Sequence, residues 1–187
     1  MTLKLDECAD DELAALALAG RQSAYTALLS RYREPVFRVV RATIGDTDAA
    51  VDVTQEAFVS AFAALKSYDT DRPFKTWISR IAINKCRDWA RRRAVRRFFT
   101  FALPIDAAGS VTDDSISADR QISDRAELAR VQSAIAMLPQ AIREPLVLRT
   151  IEGMSQTETA QVLGISEKAV ETRLYRARGR LTELLRD

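Results

Sequence analysis

The stretch that leaves this chain least freedom is residues 155–178, SQTETAQVLGISEKAVETRLYRAR. It predicts two short helices joined by a tight turn. Ser155 is a good N-cap, and Glu158 three residues on completes a capping box. Ala160, Val162 and Leu163 give the first helix its apolar side, and Gly164 fits the left-handed residue that ends it. Ile165 plugs the turn and Ser166 caps the second helix. Val170, Leu174, Ala177, Leu181 and Leu184 then recur at spacings of four, three, four and three, which makes one inward stripe. At roughly 100° per residue, Lys168, Thr172, Tyr175 and Arg176 fall on the opposite face, flanked by Glu171 and Arg173. This is the pattern of a helix-turn-helix. An αα-hairpin with a solvated charged face shares the turn. The outward residue types favour DNA, because they can contact base edges and phosphates, and residues 166–180 hold five basic side chains against two acidic.

The net charge of +2 over 187 residues does not by itself indicate a nucleic-acid partner. Its distribution does. Arg72–Arg97 carries ten Lys or Arg against one acid, Asp88, whereas Phe98–Arg130 carries three basic residues against six acidic. Blocks of opposite sign in one chain suggest separate surfaces with separate partners. Histidine is absent, which removes the commonest zinc ligand and the commonest general base. Cys8 and Cys86 belong to no metal-type spacing, and no glycine-rich phosphate loop is present. The expectation is a chain with no catalytic residue, no metal and no cofactor. No apolar run approaches 18 residues, and the acidic opening MTLKLDECADDE does not resemble a signal peptide. A reduced, cytoplasmic protein without membrane insertion is expected.

In chain order, Asp10 is expected to cap a helix over 11–19 that Gly20 ends. A second helix covers 22–33, with Tyr25, Leu28, Leu29 and Tyr32 on its apolar side. Pro35 opens a third, which Gly45 closes. Residues 46–66 form a long helix with Val51, Phe58, Ala61, Phe62 and Leu65 inward. On that helix Asp52, Gln55 and Glu56 stand at i, i+3 and i+4; spacing alone favours a solvated surface over a docking patch. After a loop at 67–73, residues 74–97 form a long helix with Phe74, Trp77, Ile78, Ile81, Ala82, Cys86 and Trp89 inward. Lys75, Arg80, Asn84, Arg87, Asp88, Arg91 and Arg92 lie elsewhere on it. Cations beside aromatics at a helix start suit single-stranded nucleic acid, with the cations on phosphate and an aromatic platform under an unstacked base. Equally, Phe74 and Trp77 can be plain core residues. Residues 98–123 contain Pro104 and Gly109 and little periodicity, which suggests a linker, and Phe98, Phe99 and Phe101 are expected to pack on the first domain or a partner. Asp124 is expected to cap a helix over 126–138, Pro139 starts the next, and Gly153 ends it. The fold expected is all-α, in two small helical domains at 1–97 and 124–187 joined by a flexible linker at 98–123.

In combination these residues resemble the extracytoplasmic-function sigma factors of bacterial RNA polymerase, members of the sigma-70 family. The matching motifs are DVTQEAFVSAF at 52–62, FKTWISRIAINKCRDWARRR at 74–93, and residues 138–181 from LPQAIREPLVL through the helix-turn-helix. The resemblance implies that the first domain, region 2, recognises and helps melt the promoter −10 element. It makes Asp52, Gln55 and Glu56 a face for the β′ clamp helices of core polymerase, reversing the reading from spacing. It places capture of a flipped base on the loop at 65–74, with Tyr68, Phe74 and Trp77, and −10 contacts on Lys75, Arg80, Asn84, Arg87, Asp88 and Arg91. It implies that region 4 reads the −35 element in duplex DNA with Lys168, Glu171, Thr172, Arg173, Arg176 and Arg178 and docks on the β flap. It also implies an anti-sigma factor that covers the docking faces, and so a stress-response regulator. Two departures stand out. Thr54 replaces the usual hydrophobic residue before Gln55 and Glu56, and the recognition helix carries the acids Glu167 and Glu171. Glu171 can accept from cytosine N4, and Glu167 suits a helix N-terminus. The competing readings are a stand-alone helix-turn-helix regulator and a sigma-like decoy for an anti-sigma factor.

Overall fold

A computed structural model describes residues 5–102 and 119–186, apart from the side chains of residues 100–102 and 119–125. Among the described residues every regular element is helical. Helix α1 spans Asp10–Leu18, α2 Gln22–Ile44, α3 Thr47–Ala63 and α4 Phe74–Ala102, with a short 3-10 turn at Leu65–Ser67 between the last two. Helices α5 (Asp119–Met137), α6 (Gln140–Thr150), α7 (Gln156–Leu163) and α8 (Glu167–Leu184) follow.

The first four helices close around one apolar cluster. Leu13, Ala14 and Ala17 of α1 meet Leu28, Val36 and Val40 of α2, Val53, Ala57 and Phe58 of α3, and Phe74, Ile78 and Ala82 of α4. Fully burying a Leu, Val or Phe contributes about 1.5–3 kcal/mol each, so this cluster dominates the stability of the first half. Asp10 ties the N-terminal end to it. The Asp10 carboxylate accepts from Arg31 Nη1 at 2.6 Å and from the Tyr32 hydroxyl. Asp10 therefore does not cap α1. Ala9 is the N-cap, and the Glu12 carboxylate accepts from the Ala9 amide at 3.0 Å instead.

Four expected boundaries shift, the first two for a tertiary reason. Helix α2 runs unbroken through Pro35. A proline inside a helix costs about 3 kcal/mol, but Val36, Val39 and Val40 immediately beyond it are buried, and their burial outweighs the lost bond. Helix α3 stops at Ala63 rather than 66, because the chain tightens into the 3-10 turn that buries Leu65. Val51, expected inside, is 42% exposed, while Val53 and Ala57 face the core. Helix α4 continues past 97 to Ala102, and α5 begins at Asp119, before Asp124. Phe98 and Phe99 lie on the end of α4 and stay exposed, 5.9 Å apart in an edge-on pair. The Phe101 and Asp124 side chains, Pro104 and Gly109 fall outside the described residues.

The two groups of helices are in contact. Val39 of α2 and Ile83 of α4 form a buried cluster with Val147 and Leu148 of α6, Met154, and Val162 and Leu163 of α7. Gly45, with φ +71°, sits so close to α5 that a Cβ there would lie 2.6 Å from the Ala136 Cβ. Only glycine satisfies both the left-handed backbone and the close approach. A third cluster, Leu138, Leu146, Ala160, Val170, Leu174 and Ala177, belongs to the C-terminal helices alone.

Candidate nucleic-acid interface

The C-terminal turn is built as its residues dictate. The Ser155 hydroxyl accepts from the Glu158 amide at 3.1 Å, and the Glu158 carboxylate accepts from the Ser155 amide at 2.6 Å. The bond from the Ser155 amide, and after it the neighbouring Ser155 hydroxyl, hold the Glu158 carboxyl below its usual range. Gly164 takes φ +67°. The Ser166 hydroxyl accepts from the Ala169 amide at 3.2 Å and starts α8. Val170, Leu174 and Ala177 are buried, and Leu181 and Leu184 pack at the edge of the same cluster. Lys168, Glu171, Thr172, Tyr175, Arg176 and Arg178 are exposed, and Arg173 is half-buried. The two acids differ in use. Glu167 locks the turn, since its carboxylate accepts from the Thr157 hydroxyl at 2.8 Å and its carbonyl from Gln156 Nε2 at 2.9 Å. Glu171 lies in the open and pairs with Lys168 at 2.8 Å. A surface pair of this kind contributes at most about 1 kcal/mol, so DNA can exchange either partner.

The second candidate surface is the loop after the 3-10 turn and the start of α4. Tyr68, Phe74 and Trp77 form a triangle with ring centroids 5.2–5.3 Å apart. Tyr68 and Trp77 are half-buried and show an edge to solvent, and the Tyr68 hydroxyl donates to the Arg72 carbonyl at 2.8 Å. Burial, then the charges of Asp10, Asp11 and Asp69, pushes the Tyr68 phenol up to about 12. Phe74 is fully buried, below Tyr68 and Trp77 and against Tyr32, as a core residue is. It supports the Tyr68–Trp77 platform from below. An aromatic at a helix start is equally at home as floor or as contact, and the Tyr68–Trp77 lid decides it.

Along α4 the polar candidates separate. Arg80 and Asn84 are exposed, and Asp88 pairs with Arg91 one turn on. Lys75 and Arg87 are held by the other half of the molecule. Arg87 donates from Nε and Nη2 to the two Glu144 oxygens at 2.9 and 2.6 Å, which raises its already high basicity. Lys75 Nζ donates to the Glu152 carbonyl at 2.7 Å and lies 3.2 Å from its carboxylate. Glu144 and Glu152 are buried. Neither was singled out from the sequence, and the only signal was indirect: Val39 beside Val40, and Ile81, Ala82 and Ile83 in a row, make α2 and α4 apolar on more than one side, as helices covered twice must be.

The third surface is on α3. Asp52 and Gln55 are exposed, and Glu56 is half-buried with Arg92 Nη2 3.1 Å from its carboxylate. Ala49, Val53, Trp89 and Val95 floor a groove between α3 and α4 beside them, and Arg93 stacks 5.0 Å over the Trp89 ring. Thr54 is buried and its hydroxyl has no hydrogen-bond partner. This is the physical consequence of the polar residue at that position.

Residues 28–96 match the family model described as Sigma-70 region 2, and residues 128–181 the one described as Sigma-70, region 4. The RNA polymerase sigma factor CnrH of Cupriavidus metallidurans is 44% identical over 96% of this chain and 95% of its own length. The ECF RNA polymerase sigma factor SigW of Bacillus subtilis is 30% identical over 90% of this chain and 92% of its own. The solved structure of CnrH in complex with the cytosolic domain of CnrY aligns with a TM-score of 0.70 at 39% identity, covering 95% of this chain and 97% of that one.

Proposed function

This chain belongs to the sigma-70 family, in its extracytoplasmic-function group, and on that premise we propose how its surfaces share the work of promoter-specific initiation. It is a sigma factor that joins core RNA polymerase and directs it to promoters with −10 and −35 elements. The observation that carries the division of labour is the presence of two nucleic-acid-type surfaces in one chain, one on α4 and one on α8, each inside a separately matched region.

Region 4 lays α8 in the major groove of the −35 element. Arg176, Arg173 and Lys168 supply cations for guanine edges and phosphates, Thr172 a methyl and hydroxyl, and Glu171 an acceptor for cytosine N4. Arg178 binds the backbone. Region 2 takes the −10 element. Arg80, Asn84, Arg87, Asp88, Arg91 and Lys75 follow its backbone and base edges. An unstacked base rests against Tyr68 and Trp77, where stacking contributes about 1–3 kcal/mol toward the few kcal/mol that unstacking costs. Asp52, Gln55 and Glu56 dock on the β′ clamp helices, and region 4 docks on the β flap. Tethering through the polymerase raises the effective concentration of each reader for its element, so each can bind weakly alone. The protein contributes positioning and no reacting group to the chemistry, and it works in the cytoplasm beside the polymerase. Domain limits of 1–97 and 124–187, with 98–123 between, are part of the same proposal. So is regulation by an anti-sigma factor over the docking faces, a reading favoured by the relative CnrH, solved in complex with the cytosolic domain of CnrY.

Run-off transcription with core polymerase, followed by start-site mapping, tests this reading. Initiation at a defined start upstream of which two spaced elements recur is expected. A chain that binds DNA as a dimer and never forms a holoenzyme is instead a stand-alone regulator. Asp52→Arg with Glu56→Arg is expected to weaken core binding in a pull-down, and normal assembly of that variant would return the α3 face to plain surface.

A further inference from the structure

The Tyr68–Trp77 platform stands on a chain of contacts that ends at α1. Tyr68 and Trp77 lie over Phe74, and the Phe74 ring meets the Tyr32 ring of α2 at 5.1 Å. The Tyr32 hydroxyl donates to the carboxylate of Asp10, the first residue of α1. The other Asp10 oxygen accepts from Arg31 Nη1 at 2.6 Å. Arg31 Nη2 donates in turn to the Asp6 and Cys8 carbonyls at 3.2 and 3.0 Å. Asp10 therefore joins residues 6–10 to α2 and, through Tyr32, to the floor of the platform. It precedes Leu28, where the match to Sigma-70 region 2 begins. Helix α1 also packs on the 3-10 turn from which the Tyr68 loop leaves.

We propose that Asp10 is a positioning residue for base capture: through the Tyr32 hydroxyl it sets the place of Phe74, and so the surface that Tyr68 and Trp77 offer to an unstacked base. The inference rests on the promoter reading above and adds to it a residue of α1.

The loop's own polar bonds are local. The Tyr68 hydroxyl donates to the Arg72 carbonyl, the Asp71 amide donates to Asp69 Oδ1 at 3.1 Å, and Arg72 pairs with Asp69 at 3.2 Å. They shape the loop without reaching the bundle. Burial of the rings draws the loop onto the bundle, but burial is non-directional. The bond from Tyr32 to Asp10 adds direction, and a bond to a charged acceptor is about twice as strong as a neutral one. Burial, and after it this bond, holds the Tyr32 phenol well above its usual range, so it stays a donor at physiological pH. Held by Arg31 on one oxygen and Tyr32 on the other, the Asp10 carboxylate cannot turn away. A binding site works when its groups are kept within about 0.5 Å of the productive geometry. Asp10 acts on how well the base is held, and not on the phosphate contacts of α4 or on −35 reading by α8.

The test compares holoenzymes made with wild type, Asp10→Ala, Tyr32→Phe and Val40→Ala. Tyr32→Phe deletes one hydroxyl and keeps the ring on Phe74. Val40→Ala trims a buried side chain of the same cluster and leaves the Asp10 bonds in place. Each holoenzyme is titrated with a fork of the promoter mapped by run-off transcription, its −10 strand already unpaired, so that capture is read and melting is not. Abasic substitution at each −10 position locates the captured base with wild type. The readouts are the affinity ratio between intact and abasic strands at that position and the quenching of 2-aminopurine placed there. Stacking predicts a ratio of about tenfold for wild type. Asp10→Ala and Tyr32→Phe are expected to lower it to about twofold, with 2-aminopurine partly unquenched and binding of the abasic strand unchanged. Val40→Ala is expected to melt earlier and keep the wild-type ratio. If either Asp10→Ala or Tyr32→Phe keeps that ratio, or Val40→Ala lowers it as far, the positioning role is overturned and the promoter reading stands. Should Asp10→Ala not fold, Tyr32→Phe decides alone. A wild type that forms no holoenzyme, or that prefers a base at no position, would overturn base capture on Tyr68 and Trp77, and the positioning role with it.

Discussion

The α8 face and the α4 face, the two proposed nucleic-acid surfaces, both carry arginines, but these are held in opposite ways. On α8 the outward charges pair within their own helix, Lys168 with Glu171 and Arg180 with Glu183, and the face stays open. On α4 two of the cations are held by buried acids from the other half of the molecule. The difference shows what an arginine does for its protein besides meeting DNA. Removing one from α8 takes away a contact. Removing Arg87 from α4 also strands a carboxylate where water does not reach.

The largest expected effect follows from that asymmetry. Arg87→Ala leaves Glu144 buried with Gln140 as its remaining partner, and breaking a buried pair costs about 3 kcal/mol. For a chain of this size that lowers the melting temperature by about 6–12 °C. An unchanged melting curve would mean that Glu144 is not buried against α4 in solution. Next, Arg176→Ala is expected to leave melting unchanged and to weaken promoter binding of the holoenzyme by about 1–3 kcal/mol, measured by filter binding at fixed salt. Unaltered promoter binding would remove Arg176 from the readers. Ser166→Ala deletes the cap of α8 at about 1 kcal/mol, visible as a modest drop in melting temperature with the recognition residues in place. A drop as large as that of Arg87→Ala would show that the two halves are held alike. The smallest effect has the opposite sign. Thr54→Val removes a buried hydroxyl without a partner and is expected to stabilise the first half by up to about 1 kcal/mol. A destabilised variant would reveal an unseen hydrogen bond at that site.

The helix-turn-helix could be read from sequence almost residue by residue because its determinants are local. Ser155 with Glu158, Gly164 and Ser166 act within a few residues of themselves, and the stripe from Val170 to Leu184 needs only a helix to be an inward face. Where the structure departs from the local pattern, a distant contact overrides a local rule. Pro35 is a sound place to break a helix until the burial of Val36, Val39 and Val40 is counted. Spacing left Phe74 open between core and contact because its burial depends on Tyr68 and Trp77 closing over it. Glu144 and Glu152 were silent because a buried acid is recognisable only beside its cation, and those cations lie 57 and 77 residues away. The helix-turn-helix was therefore legible from pattern, whereas on α3 the pattern alone pointed to plain surface, and the ion pairs on α4 left no local mark.

In the proposed function one chain, through two surfaces, brings polymerase to a promoter and opens it. Permanganate reactivity of unpaired thymines on the promoter mapped by run-off transcription tests this most directly. Unpaired thymines are expected at the −10 element only when core polymerase and this protein are both present, with a loss of that signal in the Arg176→Ala holoenzyme at limiting concentration. A duplex that stays closed with both present, or that opens with core polymerase alone, would contradict it.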